Sequence, residues 1–169
     1  MWTVMPSPIG DLRVVERDGS IVAIEFSPFR DGDGRVRGAR DDAHPLLVET
    51  KRQLTAYFAR DLKEFDLPLA PAGTDFQQRV WEQLGRIGYG ETASYGEIAG
   101  RLGMTNAASR AVGLANGRNP LSIVIPCHRV IGADGSLTGY GGGVERKRWL
   151  LGLEQGLSER VLPGIAIPR

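Results

Sequence analysis

The chain of 169 residues is 41% hydrophobic and 24% charged with a formal net charge of +1, the balance of an ordinary globular protein large enough to bury a core in one domain or two small ones. A single cysteine and two histidines, His44 and His128, exclude an internal disulfide framework and a Cys/His zinc cluster, and suit a reducing cytosol. No apolar run is long enough to span a bilayer, and MWTVMPSPIG at the N-terminus lacks the regions of a signal peptide, so a cytoplasmic protein is expected.

Trp2 to Met5, Leu12 to Arg17 and Ile21 to Phe26 are rich in strand formers and are separated by turn residues at Pro6 to Gly10 and Asp18-Gly19, which predicts a small antiparallel meander. In the third run Val22, Ile24 and Phe26 alternate with Ala23 and Glu25, so one face is expected to be buried. Ser27 to Ala43 is crowded with Gly, Asp and Arg; its acidic residues give only an incomplete calcium-loop pattern, and a mobile, solvated loop is expected. Pro45 to Arg60 carries Leu47, Leu54 and Phe58 at helical spacing behind an initial proline, the pattern of an amphipathic helix that covers the sheet. Asp66 to Gly73, DLPLAPAG, reads as a linker.

Thr74 with Gln77 makes a capping box for a helix whose Phe76, Val80, Leu84 and Ile87 share a face. Ser94 with Glu97 makes a second, for a short helix that ends at Gly103, and Asn106 is placed to cap a third from Ala107 to Asn116. Two short helices joined by a Gly-containing turn are the pattern of a helix-turn-helix. The third helix is slim, with Ala107, Ala108, Ala111, Gly113 and Ala115, which suits either close packing against a neighbour or entry into a nucleic-acid groove. From Thr105 to Leu150 there are six basic residues, Arg110, Arg118, Arg129, Arg146, Lys147 and Arg148, against Asp134 and Glu145, a local excess that could meet phosphates or simply coat a solvated surface.

Leu121 to Ile131 is expected to be a strand, and it delivers Pro126-Cys127-His128-Arg129-Val130. Cys127 is either a small buried hydrophobe or a nucleophile activated by a neighbouring base, and His128 next to it supplies the candidate. Neighbours on an extended segment point to opposite faces, so any link between the two passes through a turn or a water. A turn at Gly132 to Gly135 and a glycine-rich loop at Tyr140 follow, then a helix from Glu145 to Glu154 with Trp149, Leu150 and Leu153 inward, and a tail from Leu157 to Arg169.

The PCHRV segment, with Asn119-Pro120 before it, Gly139-Tyr140-Gly141-Gly142-Gly143 after it, and Ser94-Tyr95 and Ser109-Arg110-Ala111-Val112-Gly113 in the same order and spacing, resembles the O6-alkylguanine-DNA alkyltransferases, also called methylated-DNA-protein cysteine methyltransferases. The matches run from about Thr74 to Glu154. The resemblance implies a ribonuclease-H-like α/β N-terminal domain followed by a mainly α, helix-turn-helix (winged-helix-like) C-terminal domain. The domains are accordingly placed at 1–73 as scaffold with its linker, 74–156 as DNA-binding and active-site domain, and 157–169 as tail. It also implies a monomer that takes O6-methylguanine or another O6-alkylguanine out of duplex DNA, whatever the flanking sequence, and transfers the alkyl group once and irreversibly to Cys127.

Residue by residue, the resemblance makes His128 the base acting through a water, Glu154 the group that orients it, Tyr95 the proton donor to the leaving guanine, and Asn119 the brace of the active-site segment. Arg110 becomes the finger that fills the vacated stack. Ala107, Ala108, Ser109, Gly113 and Ala115 become the helix surface in the minor groove, and Val130, Tyr140 and Gly141 the base pocket. Where relatives commonly place a serine, Gly141 stands here. Some relatives carry a structural zinc in the N-terminal part; this sequence lacks the residues for one, and neither metal nor cofactor nor obligate protein partner is expected. Two other readings remain: a damage-binding module without chemistry, against which Cys127 argues, and a cysteine hydrolase, for which no oxyanion hole is identifiable.

Overall fold

The structure, a computed structural model, describes residues 1–137 and 140–156. Gly139 and the 157–169 tail lie outside the described residues. The chain separates into two compact units, Met1–Pro71 and the described residues from Ala72 onward.

In the first unit, β1 (Trp2–Met5), β2 (Leu12–Arg17) and β3 (Ser20–Phe26) form an antiparallel meander in the order β1-β2-β3. A register shift between Val15 and Glu16 breaks the strict alternation. The buried positions of β3 are therefore Ile21, Ala23 and Ile24, while Val22 and Phe26 are half-buried. Helix α1 (Pro45–Phe58) packs on the sheet, burying Leu47, Thr50, Gln53, Leu54 and Tyr57. Tyr57, not Phe58, completes the inward stripe.

Both edges of this sheet are covered, which removes open templates for strand addition. On the β1 side Trp2 pairs with Arg40, and on the β3 side Ile21 pairs with Leu69. The Ile21 amide donates to the Pro68 carbonyl at 2.8 Å and the Ala70 amide to the Ile21 carbonyl at 3.0 Å. Part of the stretch read as linker is thus an edge of the sheet. The 27–43 loop is also tied down: buried Arg13 pairs with Glu25 and Asp31, and Arg37 with Glu25 and Asp33. Asp31 and Asp33 of the loop thus serve arginines.

In the second unit, Thr74 caps α2 (Asp75–Leu84) through a reciprocal capping box with Gln77. Val80, Trp81, Leu84 and Ile87 are buried. The two-residue strand β4 (Ala93–Ser94) leads into α3 (Tyr95–Arg101), capped by Ser94 accepting from the Glu97 amide. Gly103, at φ +72°, turns the chain, and a 3-10 turn over Asn106–Ala108 precedes α4 (Ser109–Gly117). Asn106 does not cap α4; it accepts from the Ser109 hydroxyl instead. β5 (Val130–Ile131) pairs parallel with β4, and α5 (Val144–Glu154) closes the unit with eight buried residues. Among the described residues, no helix is long and apolar enough to cross a membrane.

Candidate active site

Of the expected strand at 121–131 only Val130–Ile131, β5, forms, and residues 121–129 are instead a series of tight turns. Asn119 holds them: its amide nitrogen donates to the Ile125 carbonyl at 2.8 Å, and its amide oxygen accepts from the Leu121 amide at 3.0 Å. Ile123 is forced to φ +74°, a region that costs a β-branched residue on the order of 1–2 kcal/mol. The Cys127 amide then donates to the Ile125 carbonyl at 2.8 Å and the Arg129 amide to the Pro126 carbonyl at 3.0 Å, so Cys127–Arg129 form a 3-10 turn. A strand is unavailable here because Pro126 has no N–H to give and Asn119 occupies the carbonyl a neighbouring strand would use.

This turn buries all three of its side chains. Burial pushes the Cys127 thiol up to about 11, partly offset by hydrogen bonding from Asn119 and Tyr140 and by the charge of Lys147. The resting thiol is therefore protonated near neutral pH. His128 is fully buried, and its pKa is lowered because burial disfavours the imidazolium, against the pull of Glu154. His128 Nε2 lies 2.7 Å from Glu154 Oε2. Burial acts to raise the pKa of Glu154, but hydrogen bonds from His128 and Arg129 outweigh it and hold the carboxyl at about 2.

An ionised Glu154 fixes the tautomer: Nε2 carries the hydrogen and Nδ1 keeps its lone pair. Nδ1 is buried without a hydrogen-bond partner among the described residues. A proton moving from the thiol to this nitrogen has to pass through an intervening group.

Three residues of the site were not legible as such in the sequence. Arg129 donates to both oxygens of Glu154 and to the Ile87 carbonyl at 2.6 Å. Asn116, on the inner face of α4, donates to the Cys127 carbonyl at 3.3 Å. Lys147 is fully buried, with Nζ 3.5 Å from the Tyr95 hydroxyl. The sequence offered Arg129, Arg146 and Lys147 as surface charge, whereas all three are buried. Of the six basic residues counted, only Arg110, Arg118 and Arg148 are exposed.

Tyr140 is buried beside the thiol, where burial pushes its pKa up, and Val130 is buried in β5. A Cβ on Gly141 would stand 3.3 Å from the Gly117 carbonyl, so this glycine lets the loop lie close against the end of α4. Tyr95 is half-buried at the start of α3, and a Cβ on Gly113 would meet its ring at 3.7 Å. On α4, Ala107 just before it, Arg110, Ala111, Leu114, Gly117 and Arg118 are exposed, and Ala108, Ser109 and Gly113 half-buried. Ala115 must be corrected: it is 3% exposed and its carbonyl accepts from the Trp81 indole at 2.9 Å, so its small side chain serves packing and not an outer surface. Among the described residues, no three His, Cys, Asp or Glu side chains gather in a way that could hold a metal ion.

Comparison with known proteins supplies the family. The model described as 6-O-methylguanine DNA methyltransferase, DNA binding domain, matches residues 75–156, and the ribonuclease-like domain of the same family matches residues 1–71. The methylated-DNA--protein-cysteine methyltransferase of Mycobacterium tuberculosis is 67% identical over 103 residues, which span 61% of this chain and only 62% of that protein's length. That of Mycolicibacterium paratuberculosis is 64% identical over 159 residues, covering 91% of this chain and 92% of the relative. Among solved structures, M. tuberculosis O6-methylguanine methyltransferase superposes with a TM-score of 0.84 at 48% identity, covering 93% of each chain. M. tuberculosis OGT in complex with DNA gives 0.86 at 47% identity, over 95% of this chain and 98% of that one. Matched in both of its units by the family's two domains, the chain belongs to the 6-O-methylguanine DNA methyltransferase family.

Proposed function

We propose that the protein repairs DNA by drawing an O6-alkylated guanine out of the duplex and transferring the alkyl group to Cys127 in a single, irreversible turnover. The observation that carries this reading is the buried turn that holds Cys127 beside a His128 whose Nε2 is engaged by Glu154 and whose Nδ1 is left as a base. Methyltransferase relatives and the DNA complex of a structural neighbour support it.

The thiol proton leaves through a bridging water to His128 Nδ1 while the sulfur attacks the alkyl carbon. The S–C bond forms as the C–O6 bond breaks, and the electron pair stays on guanine, which Tyr95 neutralises with its hydroxyl proton. Because the thiol is held protonated in the resting site, the proton transfer belongs to the reaction itself. The thioether product offers no leaving route, so each molecule reacts once.

A base inside a duplex is out of reach of a fixed cysteine, and extrusion costs a few kcal/mol. Arg110, exposed at the start of α4, takes the vacated place in the stack. Ala107, Ala108, Ser109 and Gly113 let the helix approach the minor groove, where phosphate and shape contacts bind without regard to sequence. Val130, Tyr140 and Gly141 receive the base. We further propose that the protein works as a monomer in the cytoplasm.

The test is nucleoside analysis of a duplex bearing one O6-methylguanine after incubation with wild-type protein or Cys127→Ser. Conversion to guanine by the wild type alone supports the reading. Conversion by both proteins, or by neither while the DNA is bound, contradicts it.

A further inference from the structure

Lys147 is a buried ionisable group to which alkyl transfer as drawn assigns no task. Its side chain is fully buried, and removing an ammonium from water is costly enough that a methionine of similar length would serve packing better. Lys147 and Glu154 stand seven residues apart on α5, two turns along one face. Glu154 reaches His128, on the side where the thiol proton leaves. Lys147 reaches the other side: Nζ is 3.5 Å from the Tyr95 hydroxyl and 5.8 Å from the centre of its ring.

We propose that Lys147 is a positioning residue for the leaving-group half of the reaction: its ammonium stabilises the tyrosinate formed when Tyr95 protonates the departing guanine, and then returns a proton to that oxygen. The inference rests on the alkyltransferase reading. The protons balance. Guanine receives the Tyr95 proton, Tyr95 receives one from Lys147, and solvent restores Lys147 while it takes the former thiol proton from His128. One α5 face thus serves both the base and the acid of the transfer.

Among the described residues, the titratable groups that face Lys147 include Tyr95 from α3 and Cys127 and His128 from the cysteine turn, with Glu154 and Arg129 beyond His128. Burial lowers Lys147 to about 8, against the attraction of Cys127. A group with this shift is charged below about pH 8 and loses its charge above it. The support given to Tyr95 therefore fades on the alkaline side.

The experiment is the single-turnover rate of methyl transfer from a duplex containing O6-methylguanine, from roughly pH 6 to pH 10, for wild type, Lys147→Met and Lys147→Arg, with duplex affinity by fluorescence anisotropy as the check on folding. Wild type slows above about pH 8. Lys147→Met binds DNA as wild type does but transfers about a hundredfold more slowly at neutral pH. Lys147→Arg stays within about tenfold of wild type, and its alkaline fall moves upward because a guanidinium keeps its proton. A Lys147→Met protein at wild-type rate, or a Lys147→Arg protein with the wild-type alkaline fall, overturns the inference, and so does a wild-type rate that stays level through pH 8, which needs no variant. Absence of transfer by wild type at every pH sinks the alkyltransferase reading instead.

Discussion

Arg129 grips Glu154 with two nitrogens, Nε 2.7 Å from Oε1 and Nη2 2.9 Å from Oε2, and the same carboxylate accepts from His128. With His128 held neutral by burial, the charge opposite Glu154 is that of Arg129. The pair is buried, so removing one member leaves an uncompensated ion, at a cost of roughly 3–5 kcal/mol. Arg129→Met is expected to lose about that much stability at pH 7. Glu154, depressed to about 2 when folded, stabilises fully above the unfolded glutamate pKa of about 4.3 and loses its contribution as pH falls toward 2. Urea unfolding at pH 7 and at roughly pH 3 should show the gap between wild type and Arg129→Met narrowing in acid. A gap independent of pH contradicts this account.

Asn119 both fixes the turns before the cysteine and hydrogen-bonds the thiol. Asn119→Ala leaves the Ile125 carbonyl without that donor, at a cost of about 1–3 kcal/mol, and removes an interaction that favours the thiolate. The alkylation rate of Cys127 by iodoacetamide in the folded protein is expected to fall relative to wild type, with equal rates after denaturation. A faster folded-state rate would mean that Asn119 shields the sulfur more than it activates it.

Arg110 is exposed, so Arg110→Ala leaves stability within about 0.5 kcal/mol. Its effect should be confined to extrusion. Transfer from duplex O6-methylguanine is expected to slow by roughly ten- to a hundredfold, the equivalent of about 1.4–2.7 kcal/mol of lost stacking and charge attraction. Transfer from the free O6-methylguanine base, which needs no flipping, stays at the wild-type rate. Equal losses on both substrates would place the arginine in the chemistry.

Gly141 faces the Gly117 carbonyl with room for a Cβ only at 3.3 Å. Gly141→Ser, which supplies the residue common in relatives, forces that carbonyl to move by a few tenths of an ångström. A loss of about 1 kcal/mol is expected, read as a fall in Tm of roughly 2–4 °C. A rise in Tm would show that the hydroxyl finds a partner worth more than the crowding.

The elements fixed by local chemistry were legible: the meander by its turns, α2 by the Thr74 and Gln77 box, α3 by Ser94. The cysteine segment was not. Apolar residues at Leu121, Ile123 and Ile125 read as a strand, but Asn119 spends its side chain on their backbone and Ile123 adopts a left-handed conformation that no periodicity signals. Charge misled in the same way, since nothing in the run Arg146-Lys147-Arg148 tells which members face inward. Burial of Arg129 and Lys147 follows from what α5 and α3 bring to them, a carboxylate and a tyrosine distant in sequence. Ala115 read as part of a slim outer surface because a small side chain suits either face of a helix. Cys127, His128 and Glu154 were placed through the family resemblance, and the structure brings the histidine and the glutamate together.

The most direct measurement is intact-protein and peptide mass spectrometry after the protein is mixed with excess duplex containing one O6-methylguanine. A single methyl increment is expected on the peptide that carries Cys127, saturating at one per protein molecule. Restored guanine with an unmodified Cys127, or no transfer by a folded protein that binds the duplex and has a free thiol, would contradict it.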